Sequence, residues 1–193
     1  KHDVKFESGN MTLTPASQLI AFHEEVRPTE GRGGQVPILI SQNFYRNGDR
    51  FREENGERYD KFISEEFLVH TVYGCQVVVT NPTSSRQKLM VLVQLPVGAV
   101  PVANGQYTRS VPIDLEPYRT QTIDYFFYFP KSGKCPPFPV HVAKNEEFVA
   151  AANPSMLNVV DRPTKVDDSS WDYVSQHGTT DAVLAFLNRE NIR

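Results

Sequence analysis

The stretch Val77–Val100 reads "VVVTNPTSSRQKLMVLVQLPVGAV". Two runs rich in Val, Leu and Met are parted by Asn-Pro-Thr-Ser-Ser, and the second runs into Leu-Pro-x-Gly. Asn81 can hydrogen-bond its own turn backbone, and Pro82 fixes φ at the corner. Pro96 and Gly98 stop the second run where a strand would otherwise continue. The stretch therefore reads as strand, connection, strand: a piece of scaffold rather than a loop that does chemistry.

The composition agrees with a folded β domain. The 193 residues are 39% hydrophobic, enough for one sizeable core. The net charge of −3, with Lys and Arg interleaved among acids, supplies no basic field for nucleic acid. No apolar run approaches the ~18 residues needed to cross a bilayer, so no membrane insertion is expected of this segment. The chain opens on Lys1 without a signal-like apolar region and reads as a processed or excised piece. Two cysteines, Cys75 and Cys135, are too few for a disulfide scaffold and show no zinc spacing. A disulfide between them stays open, because sequence does not give their separation.

Outward from the opening stretch the pattern remains β. Strands are expected over Leu19–Val26, Val36–Tyr45, Glu66–Thr80, Lys88–Leu95, Tyr107–Leu115 and Gln121–Phe129, with shorter ones over Phe138–Ala143 and Glu147–Ala152. Fourteen prolines and eleven glycines punctuate the chain. Many short strands without intervening helices imply antiparallel pairing in a sandwich or barrel. Three Asn-Gly pairs, at residues 47–48, 55–56 and 104–105, are suited to type I′ turns. Around the second, "DRFREENGERYDKF" predicts a solvated hairpin in which Arg50, Arg52 and Arg58 meet Glu53, Glu54, Glu57 and Asp60. Its acids lack the Asp-x-Asn-x-Asp-Gly spacing of a calcium loop.

The last residues change character. "SSWDYVSQHG" and "TTDAVLAFLNREN" predict two short helices, the first capped by Ser169 or Ser170 and ended by a left-handed Gly178, the second capped by Thr179. The break falls at the polar linker "VVDRPTKVDD". This gives a sandwich domain over residues 1–165 and, over 166–193, a helical pair that leads into or starts a following helical domain.

No catalytic, cofactor or metal site emerges. His70 precedes Cys75 by an odd spacing, which puts the two on opposite faces of one strand. His141 and His177 carry no marker of a base, and the five histidines show no ligand spacing. Nucleophile-elbow, P-loop and His-Glu-x-x-His patterns are absent. The run Tyr125–Phe129 reads as a central strand covered on both faces, with an aromatic platform as its alternative. Asn10-Met11-Thr12 fits the N-glycosylation pattern, which matters only in a eukaryotic secreted chain.

Val79-Thr80-Asn81, Leu95-Pro96-Val97-Gly98, Leu115-Glu116-Pro117 and Tyr128-Phe129-Pro130 together resemble bacterial extracytoplasmic immunoglobulin-like modules. They are similar in particular to the macroglobulin-type domains of large α-2-macroglobulin-like proteins, over about residues 66–145. The resemblance implies a spacer or packing unit of a long periplasmic or surface protein. The "YGCQVVV" around Cys75 is not the Cys-Gly-Glu-Gln thioester segment of that family, so its trapping chemistry is not carried over.

The expectation is a mainly β protein: an antiparallel immunoglobulin-like β-sandwich with a short C-terminal helical pair. It is expected to be a non-catalytic structural or interaction module of a larger exported bacterial protein. Its partners would be other domains of that protein, or another protein. The alternative is a glycan- or protein-binding module, or an accessory domain of a secreted enzyme. Candidate contact residues are Tyr107, Tyr118, Tyr125, Trp171, Leu184 and Leu187. A chain cut after Lys165 is expected to melt cooperatively as a β domain, checked by circular dichroism on heating. Loss of the cooperative transition would assign the helices to the core.

Overall fold

The computed structural model describes residues 2–21, 23, 25, 37–54, 56–153, 155–164 and 171–190. They fall into two compact units, Lys1–Glu30 and Gly31–Arg193. The first unit is a hairpin of β1 (Asp3–Glu7) and β2 (Asn10–Thr14). Ser8 and Gly9 turn it with φ of 51° and 82°, the two positive angles of a type I′ turn. Where a strand is expected at Leu19–Val26, the described residues 19–21, 23 and 25 are not in a strand, and Phe22, Glu24 and Val26 lie outside the described residues. With β-branched residues only at its ends, the run Ala21-Phe22-His23-Glu24-Glu25 has little strand propensity.

The second unit opens with β3 (Leu39–Arg46), the charged hairpin β4 (Phe51–Glu54) and β5 (Glu57–Asp60), and the short β6 (Glu66–Leu68). Next come β7 (Val72–Thr80), β8 (Gln87–Gln94), the two-residue β9 (Val100–Pro101), β10 (Thr108–Leu115) and β11 (Thr120–Tyr128). Then follow β12 (Gly133–Cys135), β13 (His141–Lys144), β14 (Glu147–Ala151), β15 (Leu157–Val160), and the helices α1 (Trp171–His177) and α2 (Thr180–Glu190).

Two four-stranded antiparallel sheets, β3-β7-β11-β9 and β10-β8-β13-β14, face each other across one core. The order places β3, β7 and β11 as the A, B and E strands of an immunoglobulin-like sandwich, and β10, β8, β13 and β14 as C′, C, F and G. A third sheet, β12-β15-β6, includes the parallel pair β15–β6. Alternation decides which side chains enter the core. Cys75, Val77 and Val79 of β7 point inward with Val91 of β8 and Phe127 of β11, all fully buried. Phe44, Phe67, Phe127 and Phe129 meet edge to face at 5.4–6.0 Å. Phe127 and Phe129 of the run Tyr125–Phe129 are thus core side chains, while Tyr125, Phe126 and Tyr128 are half-buried.

The opening stretch joins the two sheets. β7 belongs to one and β8 to the other, and residues 81–86 cross between them. Asn81, wholly buried, holds the crossing. Its Nδ2 donates to the carbonyls of Ser85 (2.8 Å), Glu116 (3.0 Å) and Leu115 (3.3 Å). Its Oδ1 accepts from the Thr83 backbone N–H and hydroxyl. Leu115 and Glu116 begin the other crossing, from β10 to β11, so one side chain ties both.

Some local expectations change. The run Glu66–Thr80 breaks into β6 and β7 because His70 adopts φ 58°. Of the Asn-Gly pairs, Gly48 has positive φ without Asn47. At the third, the positive angles fall on Ala103 and Asn104, with Gly105 N–H closing onto Val102. Asn55 lies outside the described residues. The β13–β14 hairpin turns on Asn145 and Glu146, φ 50° and 66°, without any glycine. Gly178 is not left-handed. It is required because a Cβ there would stand 2.5 Å from the Val174 carbonyl oxygen. Thr179 does cap α2, accepting the Ala182 N–H at 3.2 Å, whereas Ser169 and Ser170 lie outside the described residues. Both cysteines are free.

On the outer face of the first sheet, Tyr45 pairs with Gly74, and its ring lies where a side chain at 74 would stand. A Cβ on Gly74 would be 2.3 Å from the ring, which Asp124 and Arg50 hold in place. Gly74→Ala is expected to destabilise by about 1–3 kcal/mol, the usual cost of overpacking. Urea unfolding checks this, and an unchanged midpoint would mean that the ring moves freely.

Candidate partner-binding cleft

The end of β3 runs through the Asn47-Gly48 turn into the charged hairpin, and the segment after that hairpin returns beside it. Lys61 N–H donates to the Arg50 carbonyl at 2.6 Å, and Ile63 N–H to the Phe44 carbonyl at 2.8 Å. Between this return, β6, β7 and α1 opens a cleft of about 420 Å³. Its apolar walls are Phe62, Ile63, Leu68, Tyr73 and Pro163, with Tyr173 of α1 at one side. The hairpin read from sequence as solvated ion pairs thus also builds a wall. Arg50 does meet Asp60, at 3.0 Å, and also reaches toward Asp124 at 3.8 Å, pinning the hairpin to β11. Arg58 stacks over Phe51 instead, 3.7 Å from its ring centre.

Three cations (Arg46, Arg52, Lys61) and three acids (Asp49, Glu65, Glu66) line the cleft. Lys61 Nζ pairs with Asp49 at 2.9 Å. Glu66 accepts from the Thr164 N–H at 2.9 Å and from the Thr164 hydroxyl. Arg46 differs: its Nη1 is buried and has no hydrogen-bond partner among the described residues. A buried guanidinium N–H without an acceptor costs free energy that an incoming oxygen would recover. Tyr73 stands beside it, its phenol oxygen accepting the Leu68 N–H at 2.6 Å. Burial raises the Tyr73 pKa, and the nearby Arg46 charge partly offsets the rise.

The arrangement suits recognition better than reaction. Cys75 lies in the core, where burial pushes its thiol up to about 12, so it stays protonated and unreactive. Its neighbour Tyr125 is likewise raised by burial and accepts a hydrogen bond from Gln42 at 2.9 Å. Gln42 in turn takes the Val140 N–H at 3.2 Å, so this polar chain bridges the sheets rather than facing a substrate. Among the described residues no three His, Cys, Asp or Glu side chains are grouped to hold a metal ion.

The residues singled out from sequence do not form one surface. Tyr107 and Tyr118 are exposed just beyond opposite ends of β10, and Tyr125 turns inward toward Phe127. On the helices, Trp171 packs on Phe186 at 5.5 Å, while Leu184 and Leu187 remain largely exposed. The inward residues there are Val174 and Phe186. Sequence reading did not find the cleft. Its one signal was the density of Arg and Lys after β3, which looks the same whether solvated or half-enclosed.

No family model matches the chain. The chain is 33% identical over 190 residues to Actin-binding protein F of Dictyostelium discoideum. That alignment takes in 98% of the chain and spans only 8% of that relative's length. Among solved structures, an immunoglobulin-like protein from Pseudomonas aeruginosa aligns with 66% of this chain and all of its own, at 16% identity and a TM-score of 0.31. A β-D-glucoside glucohydrolase from Trichoderma reesei aligns with 65% of this chain and 19% of its own, at 11% identity and a TM-score of 0.30. At such TM-scores neither structure bears on activity.

Proposed function

We propose that this chain is a non-catalytic protein-interaction module within a longer polypeptide, and that its cleft receives an acidic side chain of the partner on Arg46. Arg46, which lines the cleft and whose buried Nη1 has no hydrogen-bond partner among the described residues, carries the reading. A carboxylate meets a guanidinium through charge-assisted hydrogen bonds, and apolar walls beside it suit an acidic residue with a hydrophobic neighbour. Tyr107 and Tyr118 stand apart and Tyr125 turns inward, so these three do not offer a glycan one common surface. The macroglobulin-type kinship, and the extracytoplasmic location that goes with it, rest on the sequence motifs alone. The name of the Dictyostelium relative makes filamentous actin the first partner to try.

The test is co-sedimentation of residues 1–193 with actin filaments, using wild type, Arg46→Ala and Arg46→Lys. Saturable pelleting is expected, weakened roughly tenfold or more by Arg46→Ala, since a hydrogen bond to a charged group contributes about 1.5–3 kcal/mol. Arg46→Lys keeps the charge without the planar fork and is expected to fall between. The melting temperature of Arg46→Ala should hold or fall only slightly, because the buried Nη1 has no hydrogen-bond partner among the described residues. Failure of the wild type to pellet would remove actin as the partner. Equal pelleting of all three would remove the cleft.

A further inference from the structure

Tyr45, Gly74 and Phe126 stand side by side across β3, β7 and β11. Gly74 carries no side chain, so the Tyr45 ring lies over it and crosses the middle strand. On β11 the ring meets Phe126 edge to face at 6.4 Å, and its hydroxyl donates to Asp124 Oδ1 at 3.2 Å. The Arg50 guanidinium lies over the same ring, 4.6 Å from its centre. Its Nε donates to Asp60 Oδ1 at 3.0 Å, and its Nη1 stands 3.8 Å from Asp124 Oδ1. Arg50 immediately precedes β4 and Asp60 ends β5, so both stand at the base of the charged hairpin. The four residues Tyr45, Arg50, Asp60 and Asp124 thus tie that base to a strand two places away in the sheet.

None of these four lines the cleft, yet a chain neighbour of three of them does. Tyr45 precedes Arg46, Arg50 follows Asp49, and Asp60 precedes Lys61. Arg46, Asp49 and Lys61 all line the cleft, where Lys61 Nζ pairs with Asp49 at 2.9 Å. Consecutive side chains leave a strand on opposite faces, which sends Tyr45 to the network and Arg46 to the cleft. The Lys61 N–H donates to the Arg50 carbonyl at 2.6 Å and joins the other two pairs through the backbone. The network is therefore the back of the cleft wall, and a shift at Arg50 or Asp60 carries Asp49 and Lys61 with it.

We infer that Arg50 is a positioning residue for the cleft: from behind the wall it fixes where the Asp49–Lys61 pair stands beside Arg46. A guanidinium that stacks on a ring and meets two carboxylates holds direction as well as charge, which a point charge does not. The core is independent of it, since Val77, Val79, Val91 and Phe127 are fully buried without its help. The inference rests on the reading of the cleft as partner-binding, but the placement of the wall can be measured without any partner.

Hydrogen exchange and actin co-sedimentation of residues 1–193 test it, with wild type, Arg50→Met and Arg50→Lys. In Arg50→Met the Lys61 and Ile63 amides should exchange roughly tenfold faster or more, while those of β7 and β11 stay protected. Pelleting with actin filaments should weaken several-fold in Arg50→Met and by less in Arg50→Lys, which keeps the charge. Added to Arg46→Ala, Arg50→Met should weaken pelleting no further, because the wall then has no guanidinium to serve. Unchanged exchange at Lys61 and Ile63 would overturn the inference, whether or not actin is bound. So would faster exchange beside equal pelleting of wild type and Arg50→Met, or an equal loss on top of Arg46→Ala. If the wild type does not pellet, actin is removed as the partner and the exchange result alone decides whether Arg50 places the wall.

Discussion

A buried asparagine holds the two sheets to each other. Where β7 leaves one sheet for β8, and β10 leaves the other for β11, the chain crosses the sandwich twice at the same end. Each crossing strands backbone carbonyls away from water, and each needs a donor. Asn81 serves both with one amide, its two N–H groups shared among the carbonyls of Ser85, Leu115 and Glu116. The Asn81 backbone N–H adds a bond to the Arg119 carbonyl at 2.9 Å. Outside this knot, Arg86 grips Asp114 at 2.7 and 2.8 Å and reaches Glu116 at 3.3 Å, exposed pairs worth little by themselves. The register of β8 against β10 begins here, so the packing of Val91, Ile113 and Leu115 follows from where the crossings are pinned.

The sandwich was legible because its strands are long and their alternation is strong. β8, β10 and β11 lie within a residue or two of the runs that predict them, and β7 ends where its run ends, at Thr80. The short β9, β12 and β15 were not, since two to four residues carry no period to read. β1 and β2 escaped for another reason. Their turn is Ser-Gly rather than Asn-Gly, and charged residues in β1 and polar ones in β2 alternate with the apolar ones so that no run stands out. Gly178 shows how a correct position can carry the wrong cause: the residue must be glycine, but for closeness to Val174 and not for its φ.

The cleft belongs to the illegible part. Its walls come from the end of β3, the segment after β5, β6, β7 and α1, separated in sequence by as much as Arg46 is from Tyr173. Nothing local distinguishes Arg46 from Arg50 or Arg52, which have similar neighbours along the chain. Only the fold makes them differ: Arg50 stacks on Tyr45 and reaches Asp60, whereas the Nη1 of Arg46 is buried without an acceptor among the described residues. The proposed function rests on a hydrogen-bonding group left over by the fold, and such a leftover is visible only once the neighbouring groups have found their partners.

The claim that Asn81 holds the sandwich through its N–H donors is tested most directly by equilibrium unfolding of Asn81→Asp beside Asn81→Ala. Alanine removes the donors and leaves the carbonyls unmet, a loss on the order of 1–3 kcal/mol. Aspartate keeps the shape but turns a carboxylate toward three carbonyl oxygens, so at pH 7 it should be the less stable of the two. In that site its folded pKa is raised above the unfolded value, so its deficit should shrink as pH falls and the carboxyl gains a proton. An Asn81→Asp protein as stable at pH 7 as the wild type would contradict the account.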